Sequence, residues 1–273
     1  MSKIKDKHQR FVSDCRYLGL KMLASDYRDF IDKAGNQTKG YFDFISEIVH
    51  LEARGRQKRR VDYLVKNSRL PQPIKLIANF DFDFQPTLNS KLIMELATMD
   101  FMEKADSILF VGSVGTGKSH LAQSLGAIAC QHGYRVYYTT CSELISDLNA
   151  GVYEKTLEKR IKKYINPQLL VIDEMGHERL ELQVVKEAHL LFKVIDQRYN
   201  QNKPLIFTSN IEEEEWAEFL GDPVSTAAIL DRIFHHSVIV RVKGPSYRKF
   251  QGEKLQEKYR KLKESKPEDT KSG

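Results

Sequence analysis

The residues best suited to chemistry form a glycine-rich run that ends in lysine and serine. Residues 112–119 read Gly-Ser-Val-Gly-Thr-Gly-Lys-Ser, which fits the pattern G-x-x-x-x-G-K-[ST] of phosphate-binding loops in nucleoside triphosphatases. In such loops the backbone N–H groups turn toward the β-phosphate, and the following helix adds partial positive charge. The pattern predicts a nucleotide site made by Gly112, Ser113, Val114, Gly115, Thr116, Gly117, Lys118 and Ser119.

The two residues that end this loop have separate expected roles. The Lys118 ammonium can reach the β- and γ-phosphates, and the Ser119 hydroxyl can ligate Mg²⁺. The apolar run 107–111 before the loop is typical of a buried strand, and the run 120–129 after it has helical periodicity. Strand, loop and helix are the context that the motif requires. They disfavour the alternative, a glycine turn with a surface lysine.

A second apolar run ends in two carboxylates. Residues 169–172 are typical of a buried strand, and Asp173 and Glu174 follow at its carboxyl end. Asp173 suits the acidic partner of Mg²⁺, acting through a water molecule. Glu174 suits the group that orients and polarises the attacking water, which an ATPase needs and a phosphotransferase avoids. We therefore predict a Mg²⁺-dependent ATPase, with a solvated loop acid as the alternative for Glu174.

Two further polar residues have open alternatives. Asn210 follows a third strand-like run, and its amide could hold the attacking water or cap the helix that begins with the acidic residues 212–215. Arg232 lies between apolar neighbours in a helical run. By itself it favours an ion pair with Asp231 or another acid, and the alternative is an arginine finger inserted into a neighbouring subunit's site.

Composition excludes several classes of protein. The chain has 273 residues and 41% hydrophobic content, enough for a substantial core. Its three cysteines lie far apart and its eight histidines show no ligand spacing, so neither a disulfide framework nor a zinc site is indicated. No apolar run reaches membrane-spanning length, and the N-terminus lacks the apolar core of a signal peptide. We expect a cytoplasmic protein without a membrane partner.

The positive charge is concentrated in the first third of the chain. The net charge is +6, but residues 1–78 hold 17 Lys/Arg against 9 Asp/Glu, whereas the remainder holds 26 against 28. This asymmetry predicts a polyanionic partner, nucleic acid, with a solvated helical surface as the alternative. A dense basic cluster follows an amphipathic helical stretch, and we expect it to contact DNA phosphates. The cluster comprises Arg54, Arg56, Lys58, Arg59 and Arg60.

Three regions follow from the pattern along the chain. Residues 1–78 predict a small all-helical, basic N-terminal domain, with helices near 10–34 and 41–67. Residues 79–250 predict an α/β ATPase domain, a parallel sheet covered on both faces, which begins with an aromatic linker. Residues 251–273 predict a charged tail that becomes disordered after Pro267. The expected strands are 107–111, 135–140, 169–173, 204–208 and 238–242, and the main helices between them are 119–132, 183–201 and 224–236.

Six runs of the sequence are similar to those of a known family: Gly115–Ala122, Val171–Gly176, Leu191–Tyr199, Thr208–Asn210, Leu230–His236 and Gly244–Arg248. Together they resemble the IstB family, the AAA+ ATP-binding helper proteins of bacterial insertion-sequence transposition. The resemblance covers about residues 10 to 250, and the last three runs are more specific than the widespread phosphate loop. The acidic residues 212–215 and the long charged tail depart from what the family leads one to expect.

The resemblance implies a three-layer P-loop AAA+ fold with sheet order 5-1-4-3-2. It implies that Asn210 is sensor 1 and that Arg232 is an arginine finger. It offers Arg248 as a second nucleotide sensor, with a DNA or packing contact as the alternative. It also implies three kinds of partner: double-stranded DNA bound with little sequence preference, a cognate transposase, and further copies of the chain in a homo-oligomer with shared ATP sites.

Two competing functions remain open from the sequence. A replicative helicase loader of the DnaC type shares the ATPase core, but the basic residues 54–60 favour the transposition helper. A catalytically silent, nucleotide-dependent DNA scaffold would have no need of a water-activating acid. Lys118, Asp173 and Glu174 are all present, which argues against a silent scaffold.

Overall fold

The chain divides into two compact units. The computed structural model describes residues 2–35, 40–176, 184–216 and 223–264. The units are Met1–Tyr63 and Leu64–Gly273. The division precedes the boundary expected at residue 78 because Leu64, Leu70 and Ile77 are buried in the core of the second unit.

The described part of the first unit is helical. Its helices are α1 (Ser2–Tyr17), α2 (Lys21–Gly35) and α3 (Tyr41–Asn67), and α3 continues past the unit boundary. The helical stretch expected near 10–34 is two helices, since Gly19 adopts a left-handed φ of +74° and Leu20 N–H donates to the Cys15 carbonyl at 2.8 Å. A small core of Cys15, Leu23 and Tyr27 holds the helices together.

Contacts with α2 explain two unusual residues of α3. The buried Glu52 carboxylate accepts a hydrogen bond of 2.7 Å from Leu23 N–H, in the first turn of α2, where the helix dipole favours negative charge. Gly55 admits the Met22 side chain, because a Cβ at residue 55 would lie 2.5 Å from Met22 Cγ. The helix therefore passes through Gly55 without a break, and the glycine serves close packing.

The second unit is built on a five-stranded parallel sheet. The strands are β1 (Ser107–Val111), β2 (Val136–Thr140), β3 (Leu169–Met175), β4 (Leu205–Ser209) and β5 (Ser237–Arg241). Their order is β2-β3-β4-β1-β5 and all neighbours are parallel. The expected order 5-1-4-3-2 is thus confirmed. It places the carboxyl ends of β1, β4 and β3 side by side.

Helices cover both faces of the sheet. They are α4 (Ser90–Leu96), α5 (Asp100–Lys104), α6 (Lys118–Gln131), α7 (Cys141–Tyr153), α8 (Leu157–Ile165), α9 (Val184–Asn200), α10 (Pro223–His235) and α11 (Tyr247–Glu264). Successive residues of β1 enter different cores: Ile108 and Phe110 pack with α6, whereas Leu109 and Val111 pack with α7 to α10. This alternation produces the expected three layers.

Arg198, in the run 191–199 that resembles the family, has a structural role. Arg198 is fully buried, and its guanidinium donates to the carbonyls of Tyr164, Pro167, Gln168 and Pro204 at 2.7–3.1 Å. It therefore satisfies backbone oxygens at the end of α8 and before β4 that burial would otherwise leave without partners. Burial lowers the pKa of Arg198 to about 9.

The first part of the expected charged tail is helical. Residues 251–264 continue α11, and the side chains of residues 251–261 are exposed. The expectation of disorder after Pro267 concerns positions outside the described residues. Within the described ranges, no helix combines the length and the apolar character needed to cross a membrane.

Candidate nucleotide-binding site

The glycine-rich run forms the turn between β1 and α6, and its glycines are required by both conformation and packing. Gly115 and Gly117 have left-handed φ values of +83° and +104°. A Cβ at Gly115 would lie 2.1 Å from Ser246 Oγ, and one at Gly117 would lie 2.5 Å from Phe80 Cε2. The loop is therefore packed between the aromatic linker and the segment that precedes α11.

Lys118, the first residue of α6, lies against the loop that precedes it. Its side chain is buried, and its ammonium donates to the carbonyls of Gly112 at 2.6 Å and Ser113 at 2.8 Å. Burial, opposed by Asp173 and reinforced by Arg248, lowers the pKa of Lys118 to about 8. The ammonium is thus poised to lose its charge at a lower pH than an exposed lysine.

Asp173 is the polar centre of the site. Its carboxylate is 2% exposed and accepts a hydrogen bond of 2.8 Å from Ser119 Oγ. The hydroxyls of Thr208 and Tyr138 also donate to it. Burial and the adjacent Asp173 raise the pKa of the Tyr138 hydroxyl, which keeps this group protonated and a donor. All these donors and acceptors are oxygens, the ligand atoms that hard divalent cations prefer.

Glu174 occupies an irregular position next to Asp173. Its φ of +63° is left-handed, and the pairing of β3 with β4 shifts register between Ile172 and Met175. Its N–H donates to Thr208 Oγ1 at 3.0 Å. This distortion leaves the Glu174 side chain exposed while Asp173 and Met175 on either side are buried. A left-handed non-glycine residue is a strained conformation often found at functional sites.

A cavity of about 360 Å³ joins the predicted residues. Ser119, Asp173, Glu174 and Arg248 all line it, and its size is that of a small-molecule site. The lining contains further polar residues that no motif in the sequence marks. These are Arg69, Gln123, Tyr138, Thr140 and Glu143. They come from segments without a motif, and only their convergence in the fold marks them.

Arg248 reaches the cavity because α11 begins at the phosphate loop. The N–H of Tyr247, the first residue of α11, donates to the Gly115 carbonyl at 2.9 Å. The next residue, Arg248, then faces the same space as Asp173 and Glu174. The structure therefore joins Arg248 to the predicted phosphate site.

A second, small cavity adjoins the other side of the loop. It measures about 50 Å³ and is bordered by Phe80, Phe84, Gly117, His120 and Tyr247. The His120 ring meets Phe80 edge-on at a centroid distance of 5.3 Å, and Phe84 meets Tyr247 edge-on at 5.0 Å. The aromatic residues of the expected linker thus pack beside the phosphate loop.

Asn210 directly follows β4, at the carboxyl edge of the sheet. Its N–H donates to the Met175 carbonyl at 3.2 Å, so it lies next to the strand that carries Asp173 and Glu174. The preceding residue, Ser209, accepts a hydrogen bond of 3.2 Å from the buried Trp216 indole. The described acids that follow Asn210 form only a short 3₁₀ turn, Glu213–Glu215.

Arg232 is not brought to the phosphate site of its own chain. Its Nε donates to Asp196 Oδ1 at 2.8 Å, and its guanidinium lies 4.9 Å from the centre of the Phe192 ring. It borders a cavity with Ser107 and Leu205, the first residues of β1 and β4. Arg232 therefore lies at the opposite end of the strands from Asp173, with an acidic partner other than Asp231.

The basic cluster occupies more than one face of α3. Arg54, Arg56, Lys58 and Arg60 are exposed, whereas Arg59 is partly buried and its Nη2 lies 3.7 Å from Glu52 Oε2. Residues four apart share a helix face. The cluster therefore presents one pair at positions 54 and 58 and a separate pair at 56 and 60.

The family described as IstB-like ATP binding protein matches residues 13–255, which is most of the chain. The chain belongs to this family.

Relatives of this IstB-like chain come from insertion sequences. It is 38% identical to the ATP-binding protein assigned to insertion sequence IS5376 of Geobacillus stearothermophilus. The aligned region of 253 residues covers 93% of this chain and 98% of the relative. It is 33% identical to the corresponding protein of IS232 from Bacillus thuringiensis subsp. berliner, with coverage of 90% and 96%. The expected family is confirmed.

Solved structures support the AAA+ fold. AMPPCP-bound DnaA from Aquifex aeolicus superposes with a TM-score of 0.54 at 23% identity, over 69% of this chain and 56% of that chain. DnaI superposes with a TM-score of 0.52 at 18% identity, over 65% and 94%. At these identities the likeness establishes the fold alone. The five-stranded sheet and its helices form an AAA+ P-loop domain.

The pKa of Lys118 leads to a testable pH dependence of ATP binding. Phosphates attract the charged ammonium, so ATP affinity should fall as pH rises through about 8, the pKa of the buried lysine. Lys118→Ala should weaken ATP binding at least roughly tenfold at pH 7, or about 1.4 kcal/mol, and should remove this pH dependence. Nucleotide titrations between pH 6.5 and 9.5 measure both effects.

The control for the Lys118 substitution is Lys159→Ala, which removes an exposed lysine from α8. Tight, pH-sensitive ATP binding by Lys118→Ala would contradict the assignment.

Proposed function

We propose that the chain is a Mg²⁺-dependent ATPase that assembles on DNA as a homo-oligomer and assists a transposase. The observation that carries the ATPase assignment is the placement of Glu174. Its carboxylate is exposed in the cavity that also contains Ser119 and Asp173. A carboxylate there can orient and deprotonate a water molecule that attacks the γ-phosphate. The insertion-sequence origin of the relatives supports the transposition role.

The residues at the cavity fit Mg²⁺. Ser119 Oγ and Asp173 Oδ1 are 2.8 Å apart and would together face a cation at the phosphates. No cluster of three or more His, Cys, Asp or Glu side chains suited to a metal occurs in the parts of the chain that the structure describes. This is consistent with a cation that is shared with substrate phosphates and water. When bound, Mg²⁺ would neutralise charge on the phosphate oxygens.

The remaining groups would act by position and charge. The backbone of residues 112–117 would bind the phosphates, with the Lys118 ammonium against the β- and γ-phosphates. Arg248 adds positive charge to the same cavity and would sense the nucleotide from the first turn of α11. Asn210 would hold the attacking water from the end of β4.

The position of Arg232 supports a site shared between subunits. It lies at the amino ends of the strands, away from the Asp173 of its own chain. An arginine finger acts from a neighbouring subunit, where it neutralises transition-state charge. ATP-dependent assembly would then complete each active site with the Arg232 of the next copy.

The basic cluster of α3 supports DNA binding. Four of its five cations are exposed on a single helix, and the excess positive charge of the chain lies in its first 78 residues. Cations spread over two faces of a helix suit phosphate contacts, which carry no sequence information. We therefore infer double-stranded DNA bound with little sequence preference. The insertion-sequence relatives favour a transposase as the protein partner.

Replacing the proposed water-activating acid tests the ATPase assignment. Glu174→Gln keeps the shape of the side chain but cannot accept a proton, so hydrolysis should slow at least roughly tenfold, about 1.4 kcal/mol in barrier. ATP and DNA binding should persist. Steady-state phosphate release measures the rate of hydrolysis, and equilibrium nucleotide binding measures the affinity for ATP. Glu143→Gln, at another acid of the same cavity, is the matched control and should hydrolyse within about twofold of wild type. Unchanged hydrolysis by Glu174→Gln would remove Glu174 from the mechanism.

Mixing variants tests whether Arg232 acts in trans. Arg232→Ala should bind ATP but hydrolyse it poorly, and mixing it with Lys118→Ala should restore part of the activity. In such a mixture one subunit supplies the finger and the other an intact phosphate loop. Asp196→Asn removes the ion pair of Arg232 and keeps the arginine, so it controls for a purely structural effect. An Asp196→Asn defect equal to that of Arg232→Ala, or no rescue in a mixture shown to co-assemble, would contradict a shared site.

The salt dependence of DNA binding tests the basic cluster. Each lost phosphate contact should reduce the slope of log affinity against log salt by about 0.9 on duplex DNA. Arg56→Ala/Arg60→Ala and Arg54→Ala/Lys58→Ala should each flatten the slope by up to about 2, equally on unrelated sequences. The variants omit Arg59, because Arg59 pairs with Glu52. The control is Lys159→Ala/Lys162→Ala on α8. Unchanged slopes in both cluster variants would show that DNA does not bind there.

A further inference from the structure

The edge strand of the sheet is joined to the end of α3. In the strand order β2 is outermost, and the N–H of Tyr138 in β2 donates to the carbonyl of Ser68 at 2.7 Å. Ser68 follows the last residue of α3 and is fully buried. Its hydroxyl donates to the Val65 carbonyl in the last turn of α3 at 2.7 Å. The backbone that leaves α3 therefore has a fixed position against Tyr138.

The side chain of the same tyrosine holds the carboxylate at the phosphate site. The Tyr138 hydroxyl donates to Asp173 Oδ2. The other carboxylate oxygen, Oδ1, accepts from Ser119 and Thr208. Tyr138 thus binds an oxygen of Asp173 that these two donors do not contact. Two residues, Ser68 and Tyr138, therefore connect the end of α3 with the carboxylate proposed to face Mg²⁺.

The residue after Ser68 reaches the same cavity. Arg69 lines it, and Arg69 Nη1 donates to the Tyr137 hydroxyl at 2.8 Å. Arg69 has a left-handed φ of +59°, a strained conformation for a residue with a side chain. The segment that ends α3 therefore contacts two successive tyrosines of β2 and adds a cation to the space in front of Asp173.

We propose that Tyr138 is a positioning residue that orients Asp173 and transmits ligand binding on α3 to the phosphate site. The proposal rests on the proposed function for two points, DNA binding by the basic cluster of α3 and a cation at Asp173. α3 is one continuous helix from Tyr41 to Asn67, so it includes the cluster and also the turn that hydrogen-bonds to Ser68. A displacement of α3 would move Ser68, then the Tyr138 backbone, then the hydroxyl on Asp173.

The hydroxyl alone can be removed to test the positioning role. Tyr138→Phe retains the buried ring and the backbone hydrogen bond to Ser68, but frees Asp173 Oδ2. Loss of a partner that orients a metal-facing ligand commonly costs 10- to 100-fold in metal affinity. The matched control is Tyr164→Phe, because Tyr164 is also buried and its hydroxyl donates to another carboxylate, Asp147, at 2.7 Å.

The first measurement is the affinity for ATP with Mg²⁺ and with EDTA, by titration of a fluorescent ATP analogue. In Tyr138→Phe the gain in affinity from Mg²⁺ should fall roughly tenfold, while the affinity in EDTA stays at the wild-type value. Tyr164→Phe should match wild type in both conditions. A wild-type Mg²⁺ gain in Tyr138→Phe, or an equal loss of affinity in both conditions, would overturn the positioning role.

The second measurement is the factor by which duplex DNA changes the affinity for the Mg²⁺–ATP analogue. Coupling between sites is reciprocal, so the nucleotide must change DNA affinity by the same factor. We expect a factor of about 5 or more in wild type and in Tyr164→Phe, and a factor close to 1 in Tyr138→Phe. A wild-type factor near 1, or the full factor in Tyr138→Phe, would overturn the transmission of ligand binding from α3 to the phosphate site.

Failure of the wild-type protein to bind DNA would overturn both the proposed function and this transmission. The first measurement would still decide the positioning role of Tyr138.

Discussion

The buried carboxylate of Asp173 is the constraint on which the rest of the site depends. A charged group that is 2% exposed is costly unless hydrogen bonds replace its hydration. Here the replacements come from Ser119 on α6, Tyr138 on β2 and Thr208 on β4, together with the N–H of Glu174. Each donor holds its element in register with β3. The need to satisfy one carboxylate therefore aligns three strands and the helix that follows the phosphate loop.

The same arrangement explains the unequal exposure of the two adjacent acids. Asp173 follows Leu169 and Val171 on one covered face of β3, whereas the left-handed φ of Glu174 turns its side chain toward the open cavity. The Glu174 N–H donates hydrogen bonds to Asp173 Oδ1 and to Thr208 Oγ1. The two adjacent acids therefore differ in environment. The Asp173 carboxylate is fixed by hydrogen bonds, whereas the Glu174 carboxylate is exposed and can contact a water molecule.

The phosphate loop is equally dependent on distant parts of the chain. Phe80 from the linker packs on Gly117, and Ser246 from the segment before α11 packs on Gly115. The N–H of Tyr247 then binds the loop carbonyl, which brings Arg248 into the cavity. Because these contacts leave no room for a Cβ, the glycines of the motif serve the packing of the domain as well as the approach of phosphates.

The amino-acid sequence by itself determined the parts of this protein that follow from local patterns. Apolar runs of strand length, the loop at 112–119 and the paired acids at 173–174 were sufficient to predict the five strands and to propose a nucleotide site, because each depends on neighbouring residues in the chain. Only the tertiary structure revealed that Tyr138 and Arg69 belong to this site, that Arg232 lies at the other end of the strands, and that Arg59 is engaged by Glu52. These facts depend on contacts between residues far apart in sequence, which hydrophobic periodicity and motif spacing do not encode. The sequence pattern also left open the secondary structure of the first residues of the tail, which continue α11 to Glu264. Its charged residues are good helix formers, and because residues 251–261 are exposed, no buried apolar face marks this part of the helix in the sequence.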